Sequence, residues 1–342
     1  MKSQRNAVFD IAKCLAMYLV VLGHLVADRI GDPAYFINLL HLPVLFFISG
    51  FFSVSSVEKR TAGELLKRKT VTLLVPYLLW SGISLAANVA LSVLRGGFSA
   101  AWTLNEAVQI FVYARSVWFL IQLFITFVIF LAVYKLLEKT GMKKLVVPAC
   151  LVVWLALSWL VPGDLLAFHK FKWLLPFFLA GYVMGKHREG LSAWLESHKK
   201  LSLLGLLSLL YPVLVALWAQ NGAMLRDAGL AYASLPDVLG SLLQYAISAV
   251  GVVFVMILSR WMAKTPVGKV AAEIGTYSMD IYVIHMFLIK FVPLPVDVKT
   301  VNPVVAYGLL AAVTLAMVLV IWLLSKYVLR KIKLYRISIG TN

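Results

Sequence analysis

The sequence predicts an all-α integral membrane protein of about ten transmembrane helices packed in one bundle. Of its 342 residues, 62% are hydrophobic and only 14% are charged, whereas a soluble domain carries about 25% charged residues. Several apolar runs reach the length of about 20 residues that a helix needs to cross a bilayer. Because lipid offers the backbone no hydrogen-bond partner, these runs are expected to be helical.

The apolar runs place ten spans in a single transmembrane domain that covers residues 1–342. The short fifth, sixth and ninth spans are expected to tilt little or to be partly buried. Lys2 and Arg5 precede the first run as in a signal peptide, but Asp10 and Lys13 interrupt it, so we expect a retained helix. The spans run over 8–27, 36–55, 71–93, 116–136, 145–161, 172–186, 201–219, 238–259, 277–292 and 303–328.

The positive residues predict the orientation of these spans. Most Lys and Arg residues lie at the N-terminus, in loops after even-numbered spans and at the C-terminus. The positive-inside rule therefore places both termini in the cytoplasm, with the protein in a bacterial inner membrane. The basic tail, at about 326–342, is expected to lie along the inner membrane surface.

Two features of the composition exclude other classes of function. The net charge of +17 is spread over short loops, so topology and anionic lipid explain it better than nucleic-acid binding. Cys14 and Cys150 both lie inside apolar runs, and no Cys/His spacing typical of a metal site is present. We therefore interpret both cysteines as core residues and expect no metal.

Ionisable side chains inside a bilayer are costly and mark functional sites. The first span carries Asp10, Lys13 and His24. Lys13 and His24 are eleven positions apart, so they share one helix face with a rise of roughly 16 Å between them. Asp10 lies one turn before Lys13, within reach of an ion pair.

Two further spans contain histidines. His41 opens the second span at a depth similar to that of His24, so two imidazoles on adjacent helices form a candidate site. Ser49 and Gly50 in that span favour close helix packing. His285 in the ninth span either hydrogen-bonds a carbonyl or takes part in the site; Asp280 points elsewhere on the helix, and Lys290 follows.

The loops offer two more candidate regions. The non-cytoplasmic loop 94–115 combines aromatic and charged residues, which suits either a sugar ring or an interfacial aromatic belt. The cytoplasmic cluster Lys67, Arg68 and Lys69 abuts the membrane, where it either attracts a phosphorylated donor or only determines topology.

These segments occur in an order that resembles the acyltransferase 3 family, in particular its fucose 4-O-acetylase-like branch. The resemblance covers about residues 5–330. It rests on DIAKCLAMYLVVLGH, HLPVLFFISGFF, a basic stretch before VPYLLW, then SVWFL, and finally SMDIYVIH.

The resemblance implies roles for individual residues. Lys13 and His24 stand where the family has an arginine and, eleven positions later, a histidine. Lys13 keeps the charge but lacks the guanidinium fork. The family's arginine pair before the third-span proline is replaced here by Thr72 and Leu73, so a donor-contacting role is carried over to Arg68 and Lys69 on charge alone.

The resemblance also implies transmembrane O-acylation, from cytoplasmic acetyl-CoA to a hydroxyl of an envelope polysaccharide or lipid-linked sugar. His24 is expected to act as general base, or as a transient acyl-imidazole. His41 or His285 would polarise the carbonyl or share the proton, Asp10 would orient Lys13, and Trp118 would pack or gate the donor. The rival hypotheses are a lipid-linked sugar transporter and a scaffold for polysaccharide-assembly proteins. No inverted repeat supports a transporter.

Overall fold

The computed structural model describes residues 7–29, 34–187, 235–289 and 300–341, with 205, 210 and 211 as isolated positions. Within these residues the chain forms helices, turns and loops and no strand, which confirms the all-α class. The helices are α1 (Ala7–Arg29), α2 (Ala34–Lys59), α3 (Ala62–Lys69), α4 (Val75–Leu94), α5 (Ala100–Phe111), α6 (Trp118–Lys139), α7 (Val146–Leu160), α8 (His169–Lys186), α9 (Leu235–Met262), α10 (Pro266–Gly275), α11 (Ser278–Ile289), α12 (Pro303–Tyr327) and α13 (Lys333–Ser338).

In the described part of the chain, 7 helices are long and apolar enough to cross a membrane. They coincide with the predicted spans one to five, eight and ten. The sixth span falls on α8, and the ninth falls on the shorter α11. The seventh span, 201–219, lies outside the described residues apart from positions 205, 210 and 211. The membrane class is thus confirmed, and the count of ten stays a prediction. The candidate spans are Ala7–Ala27, Ile37–Lys59, Ala62–Leu94, Trp118–Lys139, Lys143–Leu160, Leu242–Met262 and Val304–Lys331.

The chain forms two compact units that alternate along the sequence. Unit 1 comprises Met1–Ser49 and Val183–Lys326, and unit 2 comprises Gly50–Tyr182 and Tyr327–Asn342. The divisions fall within α2 and α8 and at the end of α12, and no linker separates them. The prediction of a single domain remains a prediction.

In unit 1, α1 is the central element. It packs against α9, α10 and α11, and its apolar side chains Ile11, Ala12, Ala16 and Val21 have no exposed surface. Burial on several sides explains why this helix is apolar all round rather than along one stripe. Its few polar side chains are therefore held by packing in fixed positions.

In unit 2, aromatic side chains form the core around α6. The Phe130 ring packs against the rings of Phe178 and Tyr182, with centroids 5.2 and 4.9 Å apart. A Cβ atom on Gly50 would lie 1.9 Å from the Phe178 carbonyl oxygen, so only glycine allows α2 and α8 to approach so closely. This contact explains the glycine of the Ser49–Gly50 pair.

A π-helical turn joins α3 to α4. Thr61 caps α3 through a capping box with Glu64, and the chain then runs through the π-helical turn Thr70–Leu74 into α4. Within the turn, Val75 donates its N–H to the Thr70 carbonyl. Pro76 lacks an N–H and would clash with the carbonyl four residues earlier, so the widened turn lets the helix continue. A π-helical turn of this kind is frequent at functional sites.

Candidate active site

The two charged residues at the start of α1 form an ion pair. Lys13 Nζ lies 2.6 Å from Asp10 Oδ1, and the Asp10 side chain is largely buried while that of Lys13 is 27% exposed. The pair at positions i and i+3 is the one that helical spacing predicts. Asp10 thus neutralises and orients Lys13, and the accessible part of Lys13 is available to an anion.

The same region of α1 touches α10 through its backbone. A Cβ atom on Gly275 would lie 1.8 Å from the Asp10 carbonyl oxygen. Only glycine allows this approach, so Gly275 at the end of α10 fixes the position of the helix turn that carries Asp10 and Lys13.

The histidine of α1 lies against a histidine of α11. The His24 and His285 rings have centroids 5.2 Å apart with planes tilted by 41°. His24 is exposed, whereas His285 is 1% exposed. One accessible imidazole is therefore backed by a buried one, and both belong to unit 1.

The hydrogen bonds of His285 define which of its nitrogens carries a proton. Nδ1 lies 3.1 Å from the carbonyl oxygen of Ile281. Because a carbonyl only accepts, Nδ1 is the donor and Nε2 of the neutral ring is an acceptor. Nε2 is buried and has no hydrogen-bond partner among the described residues. The carbonyl contact expected for this histidine therefore accounts for only one of its two nitrogens.

The centroid separation suits a hydrogen bond between these two rings. A contact of about 3 Å between facing nitrogens places two imidazole centroids about 5 Å apart. The observed 5.2 Å is thus compatible with a hydrogen bond from His24 to His285 Nε2, which has no other partner among the described residues.

His41 lies in the same unit, and its ring is 3% exposed. Its Nδ1 lies 2.7 Å from the Ile37 carbonyl oxygen. His24, His41 and His285 all belong to unit 1, and the ring that lies against His24 is that of His285.

Of the two other ionisable residues of the predicted ninth span, the structure describes Asp280 and not Lys290. Asp280 has no exposed surface and lies in the first turn of α11, where a carboxylate is favoured by the helix dipole. It is therefore a buried group of unit 1. Lys290 lies outside the described residues.

The basic cluster belongs to unit 2, where its members differ. Lys67 and Arg68 are exposed, whereas Lys69 Nζ lies 4.6 Å from the centroid of the buried Phe127 ring, a cation–π contact. Lys69 immediately precedes the π-helical turn. Of the two residues predicted to bind the donor, Lys69 is thus turned toward the interior of the unit and Arg68 toward its surface.

Trp118 opens α6 in the same unit. Lys170 Nζ lies 5.5 Å from the centroid of its ring, and Phe119 packs edge-on against it. Burial lowers the pKa of Lys170. The ring therefore packs against a partly buried cation, and a donor-gating role for Trp118 stays a prediction.

The predicted loop 94–115 contains a helix that the sequence analysis missed. Ser99 caps α5 by accepting a hydrogen bond from the Trp102 N–H. The side chains of Phe98, Trp102 and Tyr113 are 62%, 38% and 41% exposed. These aromatic faces are accessible, as both the sugar-binding and the interfacial interpretation require.

Two observations bear on metal and disulfide chemistry. Among the residues that the structure describes, no group of three or more His, Cys, Asp or Glu side chains is placed to hold a metal ion. Cys14 and Cys150 are buried free thiols, as expected of core residues.

Comparison with known proteins places these observations in a family. A family model described as an acyltransferase domain matches residues 6–324. Nodulation protein NolL of Sinorhizobium fredii is 24% identical over 210 residues, which is 58% of this chain and 54% of that protein. Nodulation protein NolL of Mesorhizobium japonicum is 28% identical over 87 residues, 23% of each chain. The matched part thus spans about half of the first relative and a quarter of the second. No solved structure matches.

Proposed function

We propose that this chain, which belongs to the acyltransferase 3 family, is a membrane O-acyltransferase that moves an acetyl group from acetyl-CoA to a hydroxyl of a cell-envelope polysaccharide or lipid-linked sugar. Acyl transfer follows from the family. The names of the matched relatives specify neither donor nor acceptor, so both are parts of the proposal.

The observation that carries the proposal is the pair of His24 and His285. An acyl transfer to an alcohol needs a group that removes the hydroxyl proton as the oxygen attacks. His24 is accessible to a substrate and His285 is not. His24 is therefore the proposed base, and a hydrogen bond to the buried Nε2 of His285 would hold the His24 ring in the productive orientation.

The proposed reaction is a direct transfer. His24 takes the proton of the sugar hydroxyl as the oxygen forms a bond with the thioester carbonyl. The carbon–sulfur bond then breaks, and the coenzyme thiolate takes the proton from the imidazolium. An acyl-imidazole at His24 is the alternative route: the ring nitrogen displaces the coenzyme thiolate from the acyl carbon, and the sugar hydroxyl then attacks that carbon and releases the imidazole, with its proton going to the thiolate.

Lys13 is proposed to contact a phosphate of the donor. Both Lys13 and His24 belong to the continuous helix α1, and eleven residues rise by roughly 16 Å along it. That length suits the pantetheine arm, which separates the thioester from the nucleotide phosphates. The ion pair with Asp10 would hold Lys13 in place and leave part of the Lys13 side chain exposed to the donor.

The proposed setting is the bacterial inner membrane, with both termini in the cytoplasm. The distribution of positive residues supports this orientation. It places Lys13 near the cytoplasmic boundary, where acetyl-CoA is available, and His24 near the outer boundary, where envelope sugars are assembled. Lipid and polysaccharide-assembly proteins would be its partners.

The test combines a deletion strain with purified protein. Mass spectrometry of envelope glycans should show the loss of the acetyl increment in the deletion strain and its return on complementation. Intact acetylated glycan at a changed location would instead indicate transport. Purified protein in nanodiscs should transfer radiolabelled acetyl from acetyl-CoA to the glycan. Failure of purified protein to transfer, with acetylation lost in the strain, would leave only a scaffolding role.

A further inference from the structure

The basic C-terminal tail packs against α4 and the π-helical turn in unit 2. The Trp80 indole N–H donates to the Ser338 carbonyl oxygen at 2.9 Å, and the rings of Trp80 and Tyr335 pack edge to face with centroids 6.5 Å apart. Ser338 and Ile339 are buried. The C-terminal end of the tail is therefore packed into unit 2. The tail as a whole is also the basic segment that is predicted to lie along the membrane surface.

The closest contact in this region joins Gly340 to the π-helical turn. Gly340 has φ +69°, and a Cβ atom there would lie 2.6 Å from the Thr72 Cα atom. Any side chain at this position would therefore be strained by the backbone conformation and would collide with backbone atoms. The tail and the turn are fitted to each other at main-chain distance.

Arg336 lies on this docked segment and has an unsatisfied hydrogen-bond donor. Its Nε atom is buried and has no hydrogen-bond partner among the described residues. Lys331 and Lys333 of the same tail are exposed. A buried donor without an acceptor is costly, and a guanidinium is suited to the paired oxygens of a phosphate or carboxylate.

The turn beneath the tail continues directly from the basic cluster. Thr72 donates its hydroxyl to the Arg68 carbonyl oxygen at 3.0 Å, and Lys69 is the residue before the π-helical turn. Arg336 is thus held by a segment whose end touches the same helix that carries Arg68 and Lys69. Arg68 and Lys69 from the first segment of unit 2, and Arg336 from its C-terminal segment, are therefore carried by elements that are in direct contact.

From this arrangement we infer that Arg336 binds a phosphate ester of the acyl donor, and that the C-terminal segment is a donor-binding element. The inference rests on the proposed function, which supplies a donor with several phosphates. A phosphate oxygen beside the guanidinium would provide its missing acceptor. An anionic lipid headgroup offers the same chemistry, and the experiment separates the two.

The direct test is titration of coenzyme A onto purified full-length protein in nanodiscs of phosphatidylcholine. Arg336→Ala should weaken coenzyme A binding at least tenfold. Arg336→Lys, which keeps the charge and loses the fork, should fall between. Lys333→Ala removes the same charge from an exposed position of the same helix, so it should stay within twofold of wild type.

A second pair of variants tests the docking without changing any charge. Gly340→Ala should undock the segment and weaken coenzyme A binding as Arg336→Ala does. Gly141→Ala is the matched control, because Gly141 has φ +74° and no atom lies within 4 Å of the position that an added Cβ atom would take. It should bind coenzyme A like wild type.

The outcomes separate the inference from the proposed function. Wild-type affinity in Arg336→Ala would overturn the inference and leave the proposed function standing. The titration is repeated in nanodiscs that contain phosphatidylglycerol. An effect of Arg336→Ala that appears only in those nanodiscs would also overturn the inference, because it would assign Arg336 to a lipid site. Absence of coenzyme A binding to the wild-type protein would refute the acetyl-CoA part of the proposed function itself.

Discussion

The His24 and His285 rings lie with centroids 5.2 Å apart although they come from opposite ends of the chain. The contact exists because α11 packs against α1. His285 donates a hydrogen bond from Nδ1 to the Ile281 carbonyl oxygen, which leaves the buried Nε2 as an acceptor. In the proposed function each histidine has a different role, the accessible one in proton transfer and the buried one in positioning.

Replacing His285 should therefore slow the reaction without weakening donor binding. We expect His285→Gln to lower kcat by about tenfold to a hundredfold, which is at or below the contribution of a general acid–base group, with KM for acetyl-CoA unchanged. The pH–rate profile of the variant should also shift, because His24 loses its neighbour. His169→Gln, at an exposed position of unit 2, is the control. A rise in KM alone would contradict the positioning role.

Substitutions of the two residues of the ion pair, Asp10 and Lys13, should differ in their effect on donor binding and share an effect on stability. Lys13→Met is expected to raise KM for acetyl-CoA about tenfold with a small change in kcat, because Lys13 contacts bound and reacting donor alike. Asp10→Asn should lower Tm by a few degrees, since it leaves a partly buried lysine without its carboxylate. Because either substitution breaks the same ion pair, Lys13→Met should lower Tm as well, and in the double variant the two losses of stability should not add. Thermal shift and steady-state kinetics measure both, and additive losses would disprove the coupling.

The close contact at Gly275 should be intolerant of any side chain. Gly275→Ala introduces a carbon 1.8 Å from the Asp10 carbonyl oxygen, so α1 and α10 must separate. We expect a lower Tm and less transfer activity than wild type. Gly308→Ala is the matched control in the same unit, because nothing lies within 4 Å of the added carbon. Equal behaviour of the two variants would show that the contact does not constrain α1.

Lys170 predicts a pH dependence of stability. Burial lowers the pKa of Lys170 in the folded protein. At pH values between the folded and the unfolded pKa, the unfolded chain therefore binds the proton more readily than the folded protein does. Stability rises with pH across that interval. Lys170→Met should therefore have a higher Tm than wild type at pH 7, with a difference that shrinks toward pH 10. Lys144→Met, at an exposed position, should show no such trend. A difference that grows with pH would contradict the assignment.

The sequence predicted those features that depend on helical periodicity. The spacing of Asp10, Lys13 and His24 was sufficient to place an ion pair and two groups on one face of α1, because a continuous helix fixes these relationships. The membrane-spanning helices followed from apolar length for the same reason. Both depend on local order along one helix.

The sequence did not predict features that depend on packing between helices. Similar predicted depth favours His41 as the neighbour of His24, whereas the packing of α11 on α1 brings His285 to His24. No spacing along the chain encodes that contact. Periodicity likewise cannot show that Gly340 docks at Thr72.

Two local features could have been found. Ser99 before an amphipathic run is an N-cap signal, and it marks the start of α5 within the segment predicted to be a loop. Pro76 close behind a helical segment predicts a local distortion, although not that it takes the form of a π-helical turn.

The central claim is that His24 removes the proton from the acceptor hydroxyl, and single-turnover transfer by purified His24→Ala tests it most directly. With radiolabelled acetyl-CoA and acceptor glycan, we expect transfer to fall by about a hundredfold to ten-thousandfold, with coenzyme A affinity and Tm close to wild type. Transfer at the wild-type rate by a folded His24→Ala protein would contradict the claim.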